Sequence, residues 1–394
     1  MGILFPSSDI LERMSSLAFQ EYSAAGHVIS APGRVNLIGE HIDYHGLPVL
    51  PMAMRQAVRI AFQARGDCGI RVSSLDGFGS REFEWTAGLG CAPSGDWENY
   101  VRAAAQAVGG KWGVGRGMDA VVTSDVPPAA GLSSSSALLV AVALCLLRVN
   151  HREATFEELM EILPDGEQFV GTRGGGMDHA AILASRPGCA SLIAFDPPSV
   201  RPIPIPREWA FLVMHSLESA EKSGGLREQY NARRRAGTTA LQHLGLASYR
   251  RAIDDYAAEQ LAAMAERLEA GAERDSFLHV TGESQRVTAA VGAMERADSV
   301  RFGEMLNQSH ASLRDKLKVS SPALDQVVEA AMRSGALGAR LTGAGFGGCA
   351  VAFCLKGDLE GLRAGVRESY YAGRADFHEE RHLISVEAGA GALA

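Results

Sequence analysis

Arg34, Glu40, His41 and Asp43 fall within ten positions of one another, beside the apolar run Val35–Ile38. Carboxylates accept hydrogen bonds from vicinal hydroxyls, while arginine and histidine donate or balance charge, so the cluster suits a hydroxyl-rich substrate. An ordinary charged surface loop would have the same residues. A second candidate is the stretch Val126–Leu138, where Ala130-Gly131-Leu132 is followed by four serines, Ser133-Ser134-Ser135-Ser136. Those serines open into the apolar helix pattern Ala137–Leu147. The first N–H groups of a helix lack intrahelical partners and carry partial positive charge, which makes the junction a place for a phosphate. Serine is also a common helix N-cap, and that plainer reading fits the same residues. No G-x-x-x-x-G-K-[ST] phosphate loop occurs in the chain. Asp178 follows Gly174-Gly175-Gly176. An aspartate placed there can accept the proton of an attacking hydroxyl, or merely favour the dipole of the helix it starts. A third glycine-rich segment, Gly338–Gly348, permits tight turns and close backbone approach.

These groups need a scaffold, and the apolar spacing supplies one. Residues 11–25 have the period of an amphipathic helix, and His27–Gly39 reads as a strand, a break and a second strand. Strand character recurs at Val58–Ala64, Gly69–Ser74, Arg81–Trp85 and Met118–Ser124, the last entering the serine junction. Helices are expected at Trp97–Val108, Phe156–Leu163 and Met177–Ala184, and a strand at Cys189–Phe195. Pro197, Pro198, Pro202, Pro204 and Pro206 mark a domain boundary. Beyond it come a strand at Trp209–His215 and amphipathic helices across 226–315. A helix at Ala323–Ser334, a strand at Cys349–Leu355, a helix at Leu359–Tyr371 and a strand at His382–Val386 complete the chain. The Ala388–Ala392 run reads as a frayed end. Strands in both halves with helices between them make an α+β class.

Composition narrows the function. The chain has 394 residues, 46% hydrophobic and 21% charged, which suits two domains with sizeable cores. A net charge of −8 argues against nonspecific nucleic-acid or anionic-membrane binding. Cys68, Cys91, Cys145, Cys189, Cys349 and Cys354 form no C-x-x-C pair and read as buried free thiols in a reducing compartment. Residues 1–10 lack the pattern of a signal peptide, and Ala137–Leu147 is too short to span a bilayer, so a cytoplasmic location is expected.

In their order and spacing, the three motifs resemble those of the GHMP superfamily of small-molecule kinases, and within it the galactokinase family. Gly33–Tyr44 is similar to the galactokinase signature, Pro127–Ala137 to the family's serine-rich phosphate loop, and Leu341–Gly348 to its third motif. Trp97–Val101, Gly174–Asp178, Tyr230–Arg234 and Ser309–Leu313 agree as well, so the resemblance runs from about residue 10 to 387.

The resemblance implies a two-domain GHMP kinase fold, with an N-terminal ribosomal-S5-domain-2-like domain over 1–205 and a C-terminal ferredoxin-like α+β domain over 206–394. It leaves open whether the last strand returns to the first domain. It implies ATP and Mg²⁺, the nucleotide phosphates at Ala130–Ser136, and a metal held by Ser135 and Glu167. Asp178 is the implied catalytic base and Arg34 its charge partner. Arg34, Glu40, His41, Asp43, Gly175, Asp178 and Tyr230 are the implied sugar contacts, and Trp97 and Ser216 lie on the nucleotide side. The implied reaction phosphorylates the C1 hydroxyl of a monosaccharide, D-galactose to galactose 1-phosphate, in a monomer or weak homo-oligomer. Ile42, His45 and His179 depart from the usual Thr, Asn and Gln. Ile42, Leu47–Ala53, Ser136 and the unbroken Gly174–Asp178 are more similar to the N-acetylgalactosamine kinase branch. That keeps N-acetylgalactosamine, galacturonate and arabinose open as substrates, beside a non-catalytic regulator that binds galactose and ATP. A non-sugar alcohol such as mevalonate fits Glu40 and Asp43 poorly.

Overall fold

The computed structural model describes residues 19–20, 24, 26–128, 130–169, 175–219 and 225–394, with only the backbone described at 167–169 and 225–227. Most of the helix expected over 11–25 lies outside the described residues; 19, 20 and 24 are helical.

The first half builds a five-stranded sheet from β1 (His27–Ile38), β2 (Leu50–Ala64), β3 (Gly69–Ser74), β4 (Ser80–Glu84) and β5 (Met118–Ser124). The strand order is β1-β2-β5-β3-β4, antiparallel except where β3 runs parallel to β5. The helices α1 (Glu98–Trp112), α2 (Ser134–Val149), α3 (Phe156–Phe169) and α4 (Met177–Ala184) pack with it. α2 is apolar on nearly every side and accordingly buried, a core helix rather than a surface one. A hairpin of β6 (Cys189–Phe195) and β7 (Pro198–Pro204) joins the sheet through a bridge between Val49 and Ile193.

The second half has a four-stranded sheet of β8 (Trp209–His215), β9 (Gly338–Leu341), β10 (Cys349–Leu355) and β11 (Leu383–Val386), in the order β11-β8-β10-β9. Between β8 and β9 run α5 (Gly225–Leu244), α6 (Tyr249–Asp255), α7 (Ala258–Ala265), α8 (Ala272–Glu295), α9 (Ser299–Ser312) and α10 (Pro322–Arg333). α11 (Leu359–Val366) and α12 (Glu379–His382) separate β10 from β11. Alternation decides which core each strand residue joins. Phe211, Val213, Val351 and Phe353 enter the large core shared with the first sheet, while Leu212, Met214, Ala350 and Ala352 face a second core under α10 and α11. Both faces are therefore covered, which explains the unbroken apolar runs of β8 and β10.

Several expectations change. β1 is one continuous strand rather than two, with a register shift between Pro32 and Arg34. At that shift the Arg34 N–H donates to the Leu132 carbonyl at 3.1 Å, stitching β1 to the serine junction. The proline-rich stretch forms β7, which among the described residues pairs with β6 alone, an edge position where proline's missing N–H does no harm. The cysteines are not uniformly buried: Cys91 is exposed, and Cys68 and Cys189 are half-buried. β11 pairs with β8, so the last strand stays on the second sheet. The residues after it return to the first sheet, and the alanine–glycine run is docked rather than frayed.

Candidate active site

Asp178 opens α4, next to the left-handed Gly176. Its Oδ1 accepts from Arg34 Nε at 2.7 Å and its Oδ2 from the Ser133 hydroxyl at 2.5 Å. Arg34 Nη1 also donates to the Gly131 carbonyl at 2.6 Å. Strand β1, the serine junction and the start of α4 thus converge on one carboxylate. Ser133 takes a left-handed backbone, φ 58°, just before α2. That conformation turns its hydroxyl toward α4 instead of capping its own helix, since it makes no side-chain cap bond. Ser134 and Ser135 are half-buried in the first turn of α2, and Ser136 is buried.

The loop after β1 forms the opposite wall. Asp43 lies in a 3₁₀ turn, Asp43–His45, and accepts the Gly175 N–H on Oδ2 at 3.0 Å. Gly175 must be glycine, because a Cβ there would stand 2.3 Å from the Asp43 carbonyl carbon. His41, at φ 62°, donates from Nε2 to the Ala344 carbonyl at 3.1 Å, and its Nδ1 shares a 2.9 Å bond with the Tyr44 hydroxyl. The Tyr230 ring packs between His41 and Tyr44, with centroids 5.3 and 5.7 Å away. Arg34, Glu40, His41, Asp43, Gly175, Asp178 and Tyr230 line one cleft, together with His179, Gly343 and Ala344.

Behind the cleft lies a polar network that sequence reasoning missed. Glu40 is buried and accepts from Asn36 Nδ2 at 2.6 Å, from the Gly343 N–H at 2.7 Å and from Arg340 Nη2. Arg340, on β9, is fully buried; it also donates to the Asn36 and Leu37 carbonyls and to Ser309. Ser309 in turn donates to Glu283 Oε1 at 2.6 Å, which also takes the Gly39 N–H at 3.0 Å. His279 Nε2 donates to the Glu40 carbonyl at 3.0 Å. Burial pushes the Glu40 carboxyl up, against the pull of Arg340 and of the Gly343 N–H. Burial also pushes Glu283 up, but the charges of Arg286, His279 and Arg340 outweigh it and hold the group at about 2. Burial lowers His279 to about 4. Signals for these residues exist in the chain. Arg340 is a lone charge in a buried strand, and Glu283 lies on the apolar face of α8 with Val280 and Val287.

Other expected residues lie elsewhere. Trp97 and Ser216 do not line this cleft. Trp97 packs at the start of α1, donating to the Phe78 carbonyl at 3.0 Å under Arg81. Ser216 is buried at the end of β8, where its N–H donates to the Gly348 carbonyl at 2.8 Å, the end of the third motif. Glu167 falls in α3, but its side chain lies outside the described residues, as does Gly174. Of the three departures, Ile42 is wholly buried and His45 packs on Tyr249 at 4.7 Å; only His179 reaches the cleft.

The match to known proteins follows this architecture. Models of the GHMP kinases N terminal domain and the GHMP kinases C terminal match residues 99–186 and 290–372. The mevalonate kinase of Methanococcus jannaschii shares the fold, with a TM-score of 0.64 at 16% identity over 92% of this chain and 98% of that one. The two-sheet arrangement and the serine-rich helix start therefore define a GHMP kinase. A model of the galactokinase galactose-binding signature matches residues 18–64. A galactokinase from Roseiflexus sp. (strain RS-1) is 36% identical over 365 residues, 89% of this chain and 90% of that protein. The Lactococcus lactis galactokinase complexed with galactose superposes with a TM-score of 0.84 at 26% identity, covering 97% of this chain and 99% of that one. The chain belongs to the galactokinase family.

Proposed function

We propose that the protein transfers the γ-phosphoryl group of ATP to the anomeric C1 hydroxyl of D-galactose, giving galactose 1-phosphate and ADP. The observation that carries this reading is the convergence of all seven expected sugar and catalytic residues on one cleft, with Asp178 held between Arg34 and the serine junction. Phosphoryl transfer needs positioning and charge neutralisation more than covalent chemistry. Each carboxylate oxygen has two lone pairs, so Asp178 can take the sugar hydroxyl in addition to its present partners. As the hydroxyl oxygen bonds to the γ-phosphorus, its proton passes to Asp178 and the bond to ADP breaks. Arg34 balances the negative charge gathered there. Glu40, His41, Asp43, Tyr230 and the Gly175 backbone form the sugar wall, and Glu40 and His41 are held in place by their bonds to the third motif.

The nucleotide phosphates sit at Ala130–Ser136, where the first N–H groups of α2 point out of the helix. The hydroxyl of Ser135 suits a hard cation, with Glu167 as the carboxylate that completes the set. Among the described residues no group of three or more His, Cys, Asp or Glu side chains is placed to hold a metal, so Mg²⁺ would draw its other ligands from phosphate and water. The ion, when bound, neutralises charge on the transferred phosphate. Trp97 and Ser216 complete the nucleotide side. The units of this kinase are residues 1–205 and 206–394. It works as a monomer or weak homo-oligomer. No described helix is long and apolar enough to cross a membrane.

An ADP-release assay across galactose, N-acetylgalactosamine, galacturonate, arabinose and glucose tests the reading. Galactose should give the highest kcat/KM. A flat response to every sugar overturns it, and a preference for N-acetylgalactosamine would move the substrate to that branch.

A further inference from the structure

The run Ala388–Leu393 crosses from the second sheet to the helix that carries Asp178. Immediately after β11, the Gly389 N–H donates to the Ala53 carbonyl of β2 at 2.8 Å, and Ala388 accepts from the Gly188 N–H at 3.0 Å. The chain then meets the C-terminal end of α4. The Gly391, Ala392 and Leu393 N–H groups donate to the Ser185, Ile182 and Leu183 carbonyls at 2.8, 2.7 and 3.0 Å. The last carbonyls of a helix have no partner within it, so these donors supply what an eight-residue helix lacks. The alternation of small residues has a steric reason. Gly389 and Gly391 are buried, while Ala390 faces solvent. A Cβ at Gly389 would lie 2.3 Å from the Met54 carbonyl oxygen, and one at Gly391 would lie 2.5 Å from that of Leu183.

We infer that residues 388–393 are a positioning element for Asp178, acting through α4. The helix is held at its start by Arg34 and Ser133 and at its end by this segment. α4 is short and packed against α2, so loosening one end lets the whole element shift. A carboxylate displaced by a fraction of an ångström from its near-attack position loses rate without losing ground-state contacts. The inference rests on the phosphoryl-transfer reading of the cleft.

The test compares Gly391→Val and Ala392→Pro with the wild-type chain and with the solvent-side control Ala390→Ser. The first places a branched side chain against Leu183; the second deletes the donor to Ile182. Turnover is measured per folded molecule, well below each variant's Tm, alongside galactose affinity by calorimetry. Hydrogen exchange of the Ala180–Leu183 amides is followed with no substrate present. The expected result is faster exchange in α4 and a kcat lowered about tenfold, at unchanged galactose affinity, in both variants but not the control. Unchanged exchange overturns the inference. So does faster exchange with an unchanged kcat, which would make the segment a stabiliser alone. The exchange arm needs no turnover, so a wild-type chain inactive on every sugar would fail the functional reading while leaving the docking of the segment testable.

Discussion

Two arginine–carboxylate pairs flank the cleft, and they differ in what surrounds them. The Arg34–Asp178 pair keeps side-chain exposures of 6% and 17%, and the carboxylate looks into the cleft. The Arg340–Glu40 pair has 0% and 2%, and the protein itself fills its hydrogen-bonding positions. A buried pair is costly to desolvate and costlier to break, because removing one partner strands the other. A partly open carboxylate can be reached by a ligand from the cleft. The same chemical pair is therefore placed differently: Asp178 faces the cleft, where the proposed reaction needs a carboxylate, and Glu40 is locked into the protein behind it.

Several substitutions probe that division, beginning with the largest expected effect. Asp178→Asn removes the proton acceptor while keeping the shape, and should lower kcat by about 10²- to 10⁴-fold with galactose binding retained in calorimetry. Activity within a few-fold of wild type would remove Asp178 from the chemistry. Arg340→Met should cost about 3–5 kcal/mol of stability, read from denaturant unfolding, since Glu40 and two strand carbonyls lose their donor. Arg34→Met should instead cost mainly rate. Equal losses of stability in the two variants would abolish the distinction drawn between the pairs.

Acid should act first on the buried side. His279 is held at about 4, below its ordinary value of 6.5. The unfolded chain therefore takes up this proton before the folded one does. The stability tied to His279 is complete above pH 6.5 and is lost as pH falls toward 4, on the order of 3 kcal/mol. Glu283, held at about 2 against 4.5, adds a loss that begins below pH 4.5. Glu40, whose carboxyl is raised, runs the other way, because protonation relieves its burial. A Tm that stays level from pH 7 to pH 4 would contradict the His279 contribution.

Smaller effects belong to single hydroxyls. Ser133→Ala removes one bond to Asp178 and should lower kcat/KM about tenfold. Tyr44→Phe removes the partner of His41 Nδ1 and should raise the galactose KM by at most about fivefold, with kcat unchanged. Both are read in the ADP-release assay.

Much of the scaffold was legible because its signals are local. Met177–Ala184, Cys189–Phe195, Trp209–His215 and Cys349–Leu355 carry their periodicity and their bounding turns within a dozen residues, and they fold where that pattern predicts. The motifs of the cleft were legible for a similar reason, since each is a contiguous run. The elements misread depend on distant partners. The break seen at Ala31-Pro32-Gly33 is a register shift whose purpose lies at Leu132. β7 differs: its partner β6 is adjacent, and it was missed because its prolines weaken the strand signal. The Ala388–Ala392 run has little apolar bulk to betray its docking, since backbone bonds tie it to α4 and β2 and only the small side chains of Ala388 and Ala392 pack on the core.

By itself the sequence determined which groups could do chemistry: Asp178, Arg34, the serine junction and the carboxylates of the Gly33–Tyr44 motif. Their types and spacing limit the reaction without reference to any contact. Only the tertiary structure decided how those groups divide their work. Hydrogen-bond saturation depends on residues hundreds of positions away, as Arg340 does for Glu40 at a separation of 300. Burial then turns one carboxylate into a structural clamp, and an open face leaves the other able to react.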